Sequence, residues 1–441
     1  MKKLAALFSL ASVIGCFSTH AQVTTVNWDP LATGTANGGG AGTWSFTSAQ
    51  WFNGTSDVTW DNAGNYRAVF GGAAGGNAQI AAGLIVVADS LVFNTAGYNI
   101  TGGGTRRVTL MSGIIEANAD ATITTAITNP GAATSLVGIT KTGAGRLTFA
   151  AANNTFLGGL RVLGGTVVLD DKQKIGGADQ SITLNGGGLE LTTVQGVSGR
   201  TLFIGDNGGT IHLPGVADQW SFNDLQGTNG SLTKTGLGTL VMTGPGTNGA
   251  SRAGATIINE GILRVDTTEA SGLGAGPVTV NANGTLAGSG IVGGAVTIIG
   301  TLSPGTSPGT LTLQNDLSLT ALAQLNLDLD TPDVAGGGIN DLIIVLGDLT
   351  LDGTLNVTGL ANFGVGTYEL IDYAGTLLDN GLDLGALAGT ANNSFDYDLL
   401  AGGGKVNLVV TLVPEPGVYL IGLLGAAIMF ALRRGGGSTT I

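Results

Sequence analysis

The chain has 441 residues, including 78 glycines, and a formal net charge of −13 at pH 7. The glycines follow no Gly-X-Y period, which excludes collagen, and the high apolar and low charged fractions (43% and 11%) exclude a disordered chain. The 17 lysines and arginines form no basic stripe, so we expect no nucleic-acid partner.

The N-terminus has the form of a secretory signal peptide. Two lysines precede an apolar stretch at 4–17, and small residues follow, which places cleavage between Ala21 and Gln22. A lipobox-like stretch that ends at Cys16 offers the alternative of a lipidated N-terminus. With cleavage after Ala21 the mature chain has no cysteine, so it has neither disulfides nor a thiolate for metal binding or catalysis.

Four of the five tryptophans follow in the first part of the mature chain. These are Trp28, Trp44, Trp51 and Trp60. Large aromatic side chains can close the open end of a stacked fold, and they can also form a platform for sugar stacking. We expect the capping role and keep the carbohydrate platform as the alternative.

Short runs of alternating apolar and polar residues dominate the middle of the chain. In the stretch 324–330, QLNLDLD, three leucines alternate with Asn and Asp, which predicts a strand with one buried face. Glycine-rich turns separate such runs. The pattern predicts an all-β chain, a right-handed β-solenoid-like repeat array, with a β-sandwich as the alternative. Coils of about 20 residues would give about 18 coils and a stack of about 85 Å.

An internal repeat supports stacking. The segments 138–170 and 230–266 both contain Thr-Lys-Thr-Gly-x-Gly, then a strand, a glycine-rich turn and further apolar strands. Lys141 and Lys234 occupy equivalent positions. The motif is not a phosphate-binding loop, because that loop needs glycine directly before the lysine and a helix after it. We therefore interpret the motif as part of the fold.

Residues for acid–base chemistry are scarce. Once the signal peptide is removed, His212 is the one remaining histidine, and it alternates with apolar neighbours as a solvent-facing strand residue does. We expect no catalytic residues and no enzymatic activity. A solenoid polysaccharide lyase or hydrolase is the alternative, because carboxylates are numerous.

Acidic residues are dense at two places and are concentrated late in the chain. From 301 to 412 there are thirteen acidic residues and one basic residue. Calcium, which takes several oxygen ligands, is the one cofactor we consider. Neither dense group has the spacing of a known calcium loop, so we expect these acidic residues to lie on solvated strand faces. The two groups are Asp170 with Asp171, and Asp328 with Asp330 and Asp333.

The C-terminal segment differs from everything before it. Pro414, Glu415 and Pro416 precede an apolar run at 418–432, and Arg433 and Arg434 follow. As a helix the run would be roughly 22 Å long, which is short against a hydrocarbon core of about 30 Å. The arginines favour the cytoplasmic side, and the prolines would leave an extended handle outside. These features predict a short transmembrane helix with a readable motif in front of it.

Two resemblances emerge from these motifs. The units at 138–170 and 230–266 resemble autotransporter-associated β-strand repeats, which implies an exported surface protein. The tail resembles the PEP-CTERM sorting signal, which is also found on some ice-binding proteins. That resemblance implies recognition of Pro414, Glu415, Pro416, Arg433 and Arg434 by an exosortase-type sorting enzyme, with the protein held transiently in the bacterial inner membrane before release.

The sequence therefore predicts a non-enzymatic adhesin or scaffold that is exported to the cell surface, the outer membrane or the extracellular space. Its expected partner is extracellular polysaccharide or matrix, with a carbohydrate- or ice-binding surface as a further alternative. The predicted divisions are a signal peptide at 1–21, a Trp-rich cap with the first coils at 22–137, the repeats at 138–300, an acidic β-rich region at 301–412, the sorting signal at 413–434 and a short tail at 435–441.

Overall fold

A computed structural model describes most of the chain between the signal peptide and the C-terminal tail. The described residues contain forty strands and one 3-10 helix, Lys172–Ile175, so the prediction of an all-β chain is confirmed. No helix among them is long and apolar enough to span a membrane. The described ranges are 22–36, 38–128, 137–177, 181–197, 199–244, 252–306, 308–389 and 395–413.

The strands are short, and in chain order they fall into three groups. The strands that precede the first repeat are β1 (Thr24–Trp28), β2 (Gly42–Trp44), β3 (Ala49–Phe52), β4 (Asp57–Thr59), β5 (Tyr66–Phe70), β6 (Asn77–Ile80), β7 (Ile85–Phe93), β8 (Tyr98–Thr101), β9 (Arg107–Ala117), β10 (Ala121–Ile123) and β11 (Ala126–Thr128). The strands from the first repeat to the end of the second are β12 (Ile139–Thr142), β13 (Arg146–Phe149), β14 (Leu160–Val162), β15 (Thr166–Leu169), β16 (Ile182–Leu184), β17 (Gly188–Leu191), β18 (Val194–Val197), β19 (Thr201–Ile204), β20 (Gly209–His212), β21 (Gln219–Phe222), β22 (Asp224–Gly227), β23 (Leu232–Thr235), β24 (Thr239–Met242) and β25 (Thr256–Val265).

The strands of the C-terminal part belong largely to the acidic region. They are β26 (Val278–Gly288), β27 (Ile291–Val292), β28 (Val296–Ile298), β29 (Thr301–Pro304), β30 (Thr310–Leu313), β31 (Leu317–Leu319), β32 (Gln324–Leu329), β33 (Leu342–Val345), β34 (Leu349–Leu351), β35 (Thr354–Gly359), β36 (Gly366–Tyr373), β37 (Leu377–Asp379), β38 (Asp383–Ala388), β39 (Phe395–Gly402) and β40 (Lys405–Leu412).

These strands stack in parallel as the three-sided coils of a solenoid. One coil is β16, β17 and β18, the next is β19, β20 and β21, and each strand pairs with its counterpart in the following coil. Fifteen strands form one uninterrupted ladder, which we call face one: β2, β6, β8, β10, β13, β15, β17, β20, β23, β25, β26, β28, β31, β34 and β37. Parallel stacking contradicts the β-sandwich alternative, whose sheets are antiparallel. The predicted right-handed turn stays a prediction.

The coils are longer and fewer than predicted. Leu189 pairs with Ile211, 22 positions further on, and Leu317 pairs with Leu349, 32 positions further on. A three-sided coil needs a corner after each strand, which adds residues to every turn. Fifteen strands of face one at a spacing of about 4.8 Å span roughly 65–70 Å, which corrects the predicted 85 Å.

Alternation along each strand places one set of side chains in a single core. The core cluster contains residues from Val26 to Val410 without division. In a typical face-one strand such as Val296–Ile298, the outer two residues are buried and the middle one points outwards. Because partner residues repeat in register, each inward position becomes a column of aliphatic side chains along the solenoid axis.

The two ends of the solenoid differ. At the N-terminal end, β3 pairs antiparallel with β1, and β4 pairs antiparallel with β3, so these two strands extend one sheet beyond β1. At the C-terminal end, β40 and β39 form an antiparallel hairpin on β36, which covers one side of the last coil.

Candidate functional site

The two repeats each place a lysine inside the core. Lys141 lies in an inward column between Ile115 and Val162, and Lys234 lies between Ile211 and Ile258. Both side chains have no exposed surface. A charged group in an aliphatic column needs hydrogen-bond partners, because burial without them would be costly.

Backbone carbonyls of the neighbouring turns supply those partners. Lys141 Nζ donates to the carbonyl oxygens of Gly143 at 2.7 Å and Gly164 at 2.9 Å. Lys234 Nζ donates to the carbonyls of Thr235 at 3.0 Å, Gly236 at 2.7 Å and Glu260 at 3.0 Å. Each ammonium thus joins the turn of its own coil to the next coil, which makes the lysine a cross-coil staple.

Burial dominates the electrostatics of both lysines. It lowers the pKa of Lys141 to about 8, and the opposite charge of Asp120 acts in the other direction. Burial likewise lowers the pKa of Lys234 to about 8, against the effect of Glu260. Glu260 also accepts a hydrogen bond from Gly236 N at 3.0 Å, so it binds the same turn from outside.

The glycine after each lysine is required by the backbone. Gly143 has φ +77° and Gly236 has φ +74°, a region that favours glycine. A Cβ atom at Gly236 would lie 2.2 Å from the carbonyl oxygen of Leu213 in the preceding coil. The Thr-Lys-Thr-Gly-x-Gly motif is therefore a coil corner, as the sequence indicated.

The outer side of face one carries a short polar row at the level of the repeats. His212 points outwards between two buried neighbours, and its Nδ1 lies 3.0 Å from the Thr235 hydroxyl oxygen. Glu190 is its partner in the preceding strand and forms an ion pair with Arg146. The row lies on a sheet surface, and the carboxylate is already occupied by the guanidinium.

Further along, the outward positions of face one are uncharged. The column runs through Thr279, Thr297, Ser318 and Thr350, each paired in register with the next. The solenoid thus presents hydroxyl groups at a repeat of about 4.8 Å along its axis. Such a surface favours many weak contacts along a long partner over one enclosed site.

Four clefts of the described surface hold few carboxylates. Three of them contain one carboxylate each, Asp89, Asp206 or Asp266. A fourth, next to Arg106 and Arg107, contains none. A glycosidase needs two carboxyl groups on either side of the scissile bond, and none of these four clefts supplies a pair.

The acidic residues considered for calcium are used within the fold. Asp171 accepts from Gln173 N at the start of the 3-10 helix, and Asp170 pairs with Lys174. A hydrogen bond from the Asn362 side chain lowers the pKa of Asp330, and Asp333 accepts from Thr367 N at 3.0 Å. Among the described residues, no three or more His, Cys, Asp or Glu side chains come together as a metal site.

The four early tryptophans close the N-terminal end. Trp28, Trp44, Trp51 and Trp60 are at most 2% exposed. Their ring centroids lie close together, with 5.0 Å between Trp28 and Trp51 and 4.7 Å between Trp44 and Trp60. The alternative of a sugar-stacking platform is wrong, because no ring face is open to a ligand.

Two buried polar groups had no signal in the sequence. Arg252 is fully buried and donates to the carbonyls of Ala255 at 2.7 Å and Leu273 at 2.8 Å. Asp341, 2% exposed, accepts from Gly309 N at 2.7 Å and Asp328 N at 2.8 Å. Burial raises the pKa of Asp341 to about 7. One partner of each group, Leu273 for Arg252 and Gly309 for Asp341, lies 21 or 32 residues away in another coil, so local spacing does not reveal it.

Several predicted functional residues lie outside the described part of the chain. Ala21 and the rest of the signal peptide do, as do Pro414, Glu415 and Pro416 and the arginines at 433 and 434. Gln22, on the mature side of the predicted cleavage, is the first described residue and is exposed.

Comparison with known proteins identifies the repeats. The model of the passenger-associated-transport-repeat family matches residues 139–169 and 232–265, which confirms the two units found in the sequence. A segment of 116 residues, 24% of this chain, is 47% identical to the adhesin BmaC autotransporter of Brucella suis and covers 3% of that protein. A segment of 142 residues, 32% of the chain, is 34% identical to an extracellular serine protease of Serratia marcescens and covers 12% of it.

These matches establish what kind of repeat the chain carries. The chain spans only a small part of the length of both relatives, so the similarity concerns the repeats and not the whole of either protein. The two matched units are also the two segments that carry the buried lysines.

Proposed function

We propose that this chain is an exported, non-enzymatic protein of the cell surface or extracellular matrix, acting as an adhesin or scaffold. The observation that carries the proposal is a solenoid with passenger-type repeats whose outer face one presents uncharged hydroxyl groups in register. An elongated repetitive surface suits many weak contacts to a long partner such as a matrix polysaccharide.

Enzymatic activity fits the described residues less well. One relative is named a serine protease, but it is matched over only 12% of its length. The polar row of His212 and Thr235 lies on a flat sheet face, and its neighbour Glu190 is paired with Arg146. An acyl-transfer site also needs a pocket that holds substrate beside an oxyanion hole.

We further propose the route by which the protein reaches the surface. After cleavage between Ala21 and Gln22, the apolar run at 418–432 holds the chain in the inner membrane, and an exosortase-type enzyme reads Pro414, Glu415 and Pro416 and removes the tail. The short run and the following arginines support a transient anchor over a permanent one.

Two experiments test these proposals separately. Replacing residues 414–416 with alanine should trap full-length protein in the inner membrane, as followed by fractionation and immunoblotting; unchanged delivery with the tail removed would refute the sorting route. Deleting the gene should reduce biofilm cohesion without changing growth on any polysaccharide. Depolymerisation of a polysaccharide panel by the purified protein would instead establish the enzyme.

Dependence on divalent cations is a further part of the proposal. The acidic region at 301–412 would bridge to an acidic matrix through calcium, in which case cohesion falls when a chelator is added. Cohesion that is unchanged by chelator, but is lost in the deletion strain, would leave hydroxyl contacts as the adhesive interaction.

A further inference from the structure

The outer side of a second sheet carries an aromatic side chain that the core does not use. We call this side face two; it includes β12, β14, β16, β19 and β22, which pair in parallel. In β19, Phe203 lies between Leu202 and Ile204, which are both fully buried. Alternation therefore points the Phe203 side chain outwards, where it is partly exposed and lies outside the core cluster. Face two thus presents apolar ring surface to a ligand.

An arginine without a partner lies in the same outward column. Arg161 pairs in register with Thr183, and Thr183 pairs with Phe203, so the three follow one another at a spacing of about 4.8 Å. Arg161 is exposed, and within the described part of the chain its guanidinium has neither an ion-pair nor a hydrogen-bond partner. Arg67, further along the same column, is paired with Glu116. Face two therefore offers a free positive charge two strands from an aromatic ring.

Phe203 and Arg161 line one cleft of face two. Its volume is about 400 Å³, within the range of about 300–1,000 Å³ that is typical of small-molecule sites. An apolar ring with a few polar groups around it is also the usual composition of such sites. The polar side chains that line the cleft are those of Arg161, Thr183, Asn185, Asp206 and Thr228. The cleft thus combines a cation, a carboxylate, an amide and two hydroxyl groups around one aromatic ring.

The turns at the edge of face two hold the amide and the carboxylate in place. Asn185 Oδ1 accepts from Asn207 N at 2.8 Å, and no described residue accepts from its Nδ2. Asp206 is exposed, and its Oδ1 accepts from Asn229 N at 3.5 Å. Asp206 follows Phe203 by three residues in the turn, so the carboxylate lies beyond the end of β19. The positive and negative groups of the cleft therefore lie in different directions from the ring.

This combination of groups favours an acidic sugar. The apolar C–H side of a pyranose ring packs on an aromatic ring, and its hydroxyl groups need donors and acceptors such as the Asn185 amide and the Asp206 carboxylate. The planar guanidinium of Arg161 matches a carboxylate, to which it can donate two parallel hydrogen bonds. A neutral sugar would leave this charge unused, and a nucleic acid would be repelled by the net charge of −13. A sugar with a carboxylate uses every kind of group in the cleft.

We propose that this cleft binds an acidic sugar unit of an extracellular polysaccharide. Phe203 packs against the sugar ring, and Arg161 binds its carboxylate. Thr183, Asn185 and Asp206 form hydrogen bonds with its hydroxyl groups. The inference rests on the proposed surface role, because it names the chemistry of the polysaccharide partner. It differs from adhesion through face one and from bridging by calcium, since it needs neither the hydroxyl column nor a divalent cation.

The test measures binding of short oligosaccharides to the purified full chain by ligand-observed NMR, with EDTA present so that calcium bridging is excluded. The probes are oligomers of galacturonic acid and of mannuronic acid, each matched by the same oligomer with its carboxyl groups reduced to alcohols. An acidic oligomer should bind about tenfold more tightly than its reduced counterpart, with affinity that falls as salt rises. No binding of either acidic oligomer, or equal affinity for the acidic and reduced forms, overturns the proposal.

Variants locate the binding. Phe203→Ala and Arg161→Gln should each weaken binding of the acidic oligomer about tenfold, whereas Phe203→Tyr, which keeps the aromatic ring, should bind as the unchanged protein does. The matched control is Arg67→Gln, which removes the same charge from the same column, where the guanidinium is already paired with Glu116. This control should leave binding unchanged. Binding that survives Phe203→Ala, or that falls equally in Arg67→Gln, overturns the location.

A comparison of strains separates this inference from the surface role on which it rests. The expected result is that a strain carrying Phe203→Ala and Arg161→Gln together loses biofilm cohesion in the presence of chelator, as the deletion strain does. If the deletion strain loses cohesion but the double variant keeps it and the purified variant still binds the oligomer, the scaffold role stands and the site at Phe203 is wrong. If the deletion strain keeps full cohesion while the purified double variant no longer binds, the site stands and the scaffold role fails.

Discussion

The buried lysine staple of the second repeat gives the sharpest prediction. In Lys234→Met the side chain keeps its length and apolar stem, but three backbone carbonyls lose the ammonium that donates to them at 2.7–3.0 Å. At about 2 kcal/mol for each hydrogen bond from a charged donor, the loss is about 6 kcal/mol. The variant also removes a burial cost.

That cost follows from the pKa of Lys234, which burial lowers from 10.5 to about 8. A shift of this size corresponds to about 3 kcal/mol at about 1.36 kcal/mol per pKa unit. The two effects together predict that Lys234→Met destabilises the repeat coils by about 3 kcal/mol. The charge is unfavourable in the core, but the loss of its three hydrogen bonds is more so.

Native-state hydrogen exchange measures this change best. Repeat arrays open locally, so a single melting temperature does not report on one coil. Amides of β20, β23 and β25 should exchange faster in the variant at neutral pH, and those of β31 and β34 should not change. Lys405→Met is the matched control, since Lys405 is half exposed and pairs with Glu369 at the surface. Unchanged or slower exchange in the repeat coils would refute the staple.

Three further predictions use other parts of the solenoid. Gly236→Ala should destabilise the same coils by about 2–3 kcal/mol in native-state hydrogen exchange, because of backbone strain and the close carbonyl of Leu213. Gly103→Ala, whose added Cβ meets nothing within 4 Å, should have little effect, and equal costs for the two variants would contradict the geometry. Burial raises the pKa of Asp341 from 3.8 to about 7 in the folded protein, so its protonated carboxyl stabilises the fold fully below about pH 4, and this stabilisation is lost as pH rises through 7. Asp341→Asn should remove that part of the pH dependence of stability, and an unaltered stability–pH profile would contradict the prediction. Trp51→Ala should cost about 3–5 kcal/mol and expose the first coils to limited proteolysis, and a protease-resistant variant would show that the tryptophans do not close that end.

The sequence predicted much of the fold because the signal is local and repeated. Alternation in stretches such as 324–330 fixes which side chains face inwards, and glycine-rich turns fix where strands end. The two repeats were visible because their corner motif recurs within one chain. Local sequence could not decide between a solenoid and a sandwich, because alternation is the same in both folds. Only the pairing of strands about 20 residues apart distinguishes them.

The tertiary structure alone decided what the polar residues do. Lys141 and Lys234 are buried, yet their sequence neighbours are threonines that point outwards, and the carbonyls that hold them belong partly to the next coil. Asp341 depends on amides 13 and 32 residues away. Hydrogen bonds between coils join residues far apart in sequence, so their partners follow from the register of the stack. Leu384 pairs in register with the buried Leu355 and yet is 39% exposed, so burial too depends on the neighbouring coils and not on the local pattern.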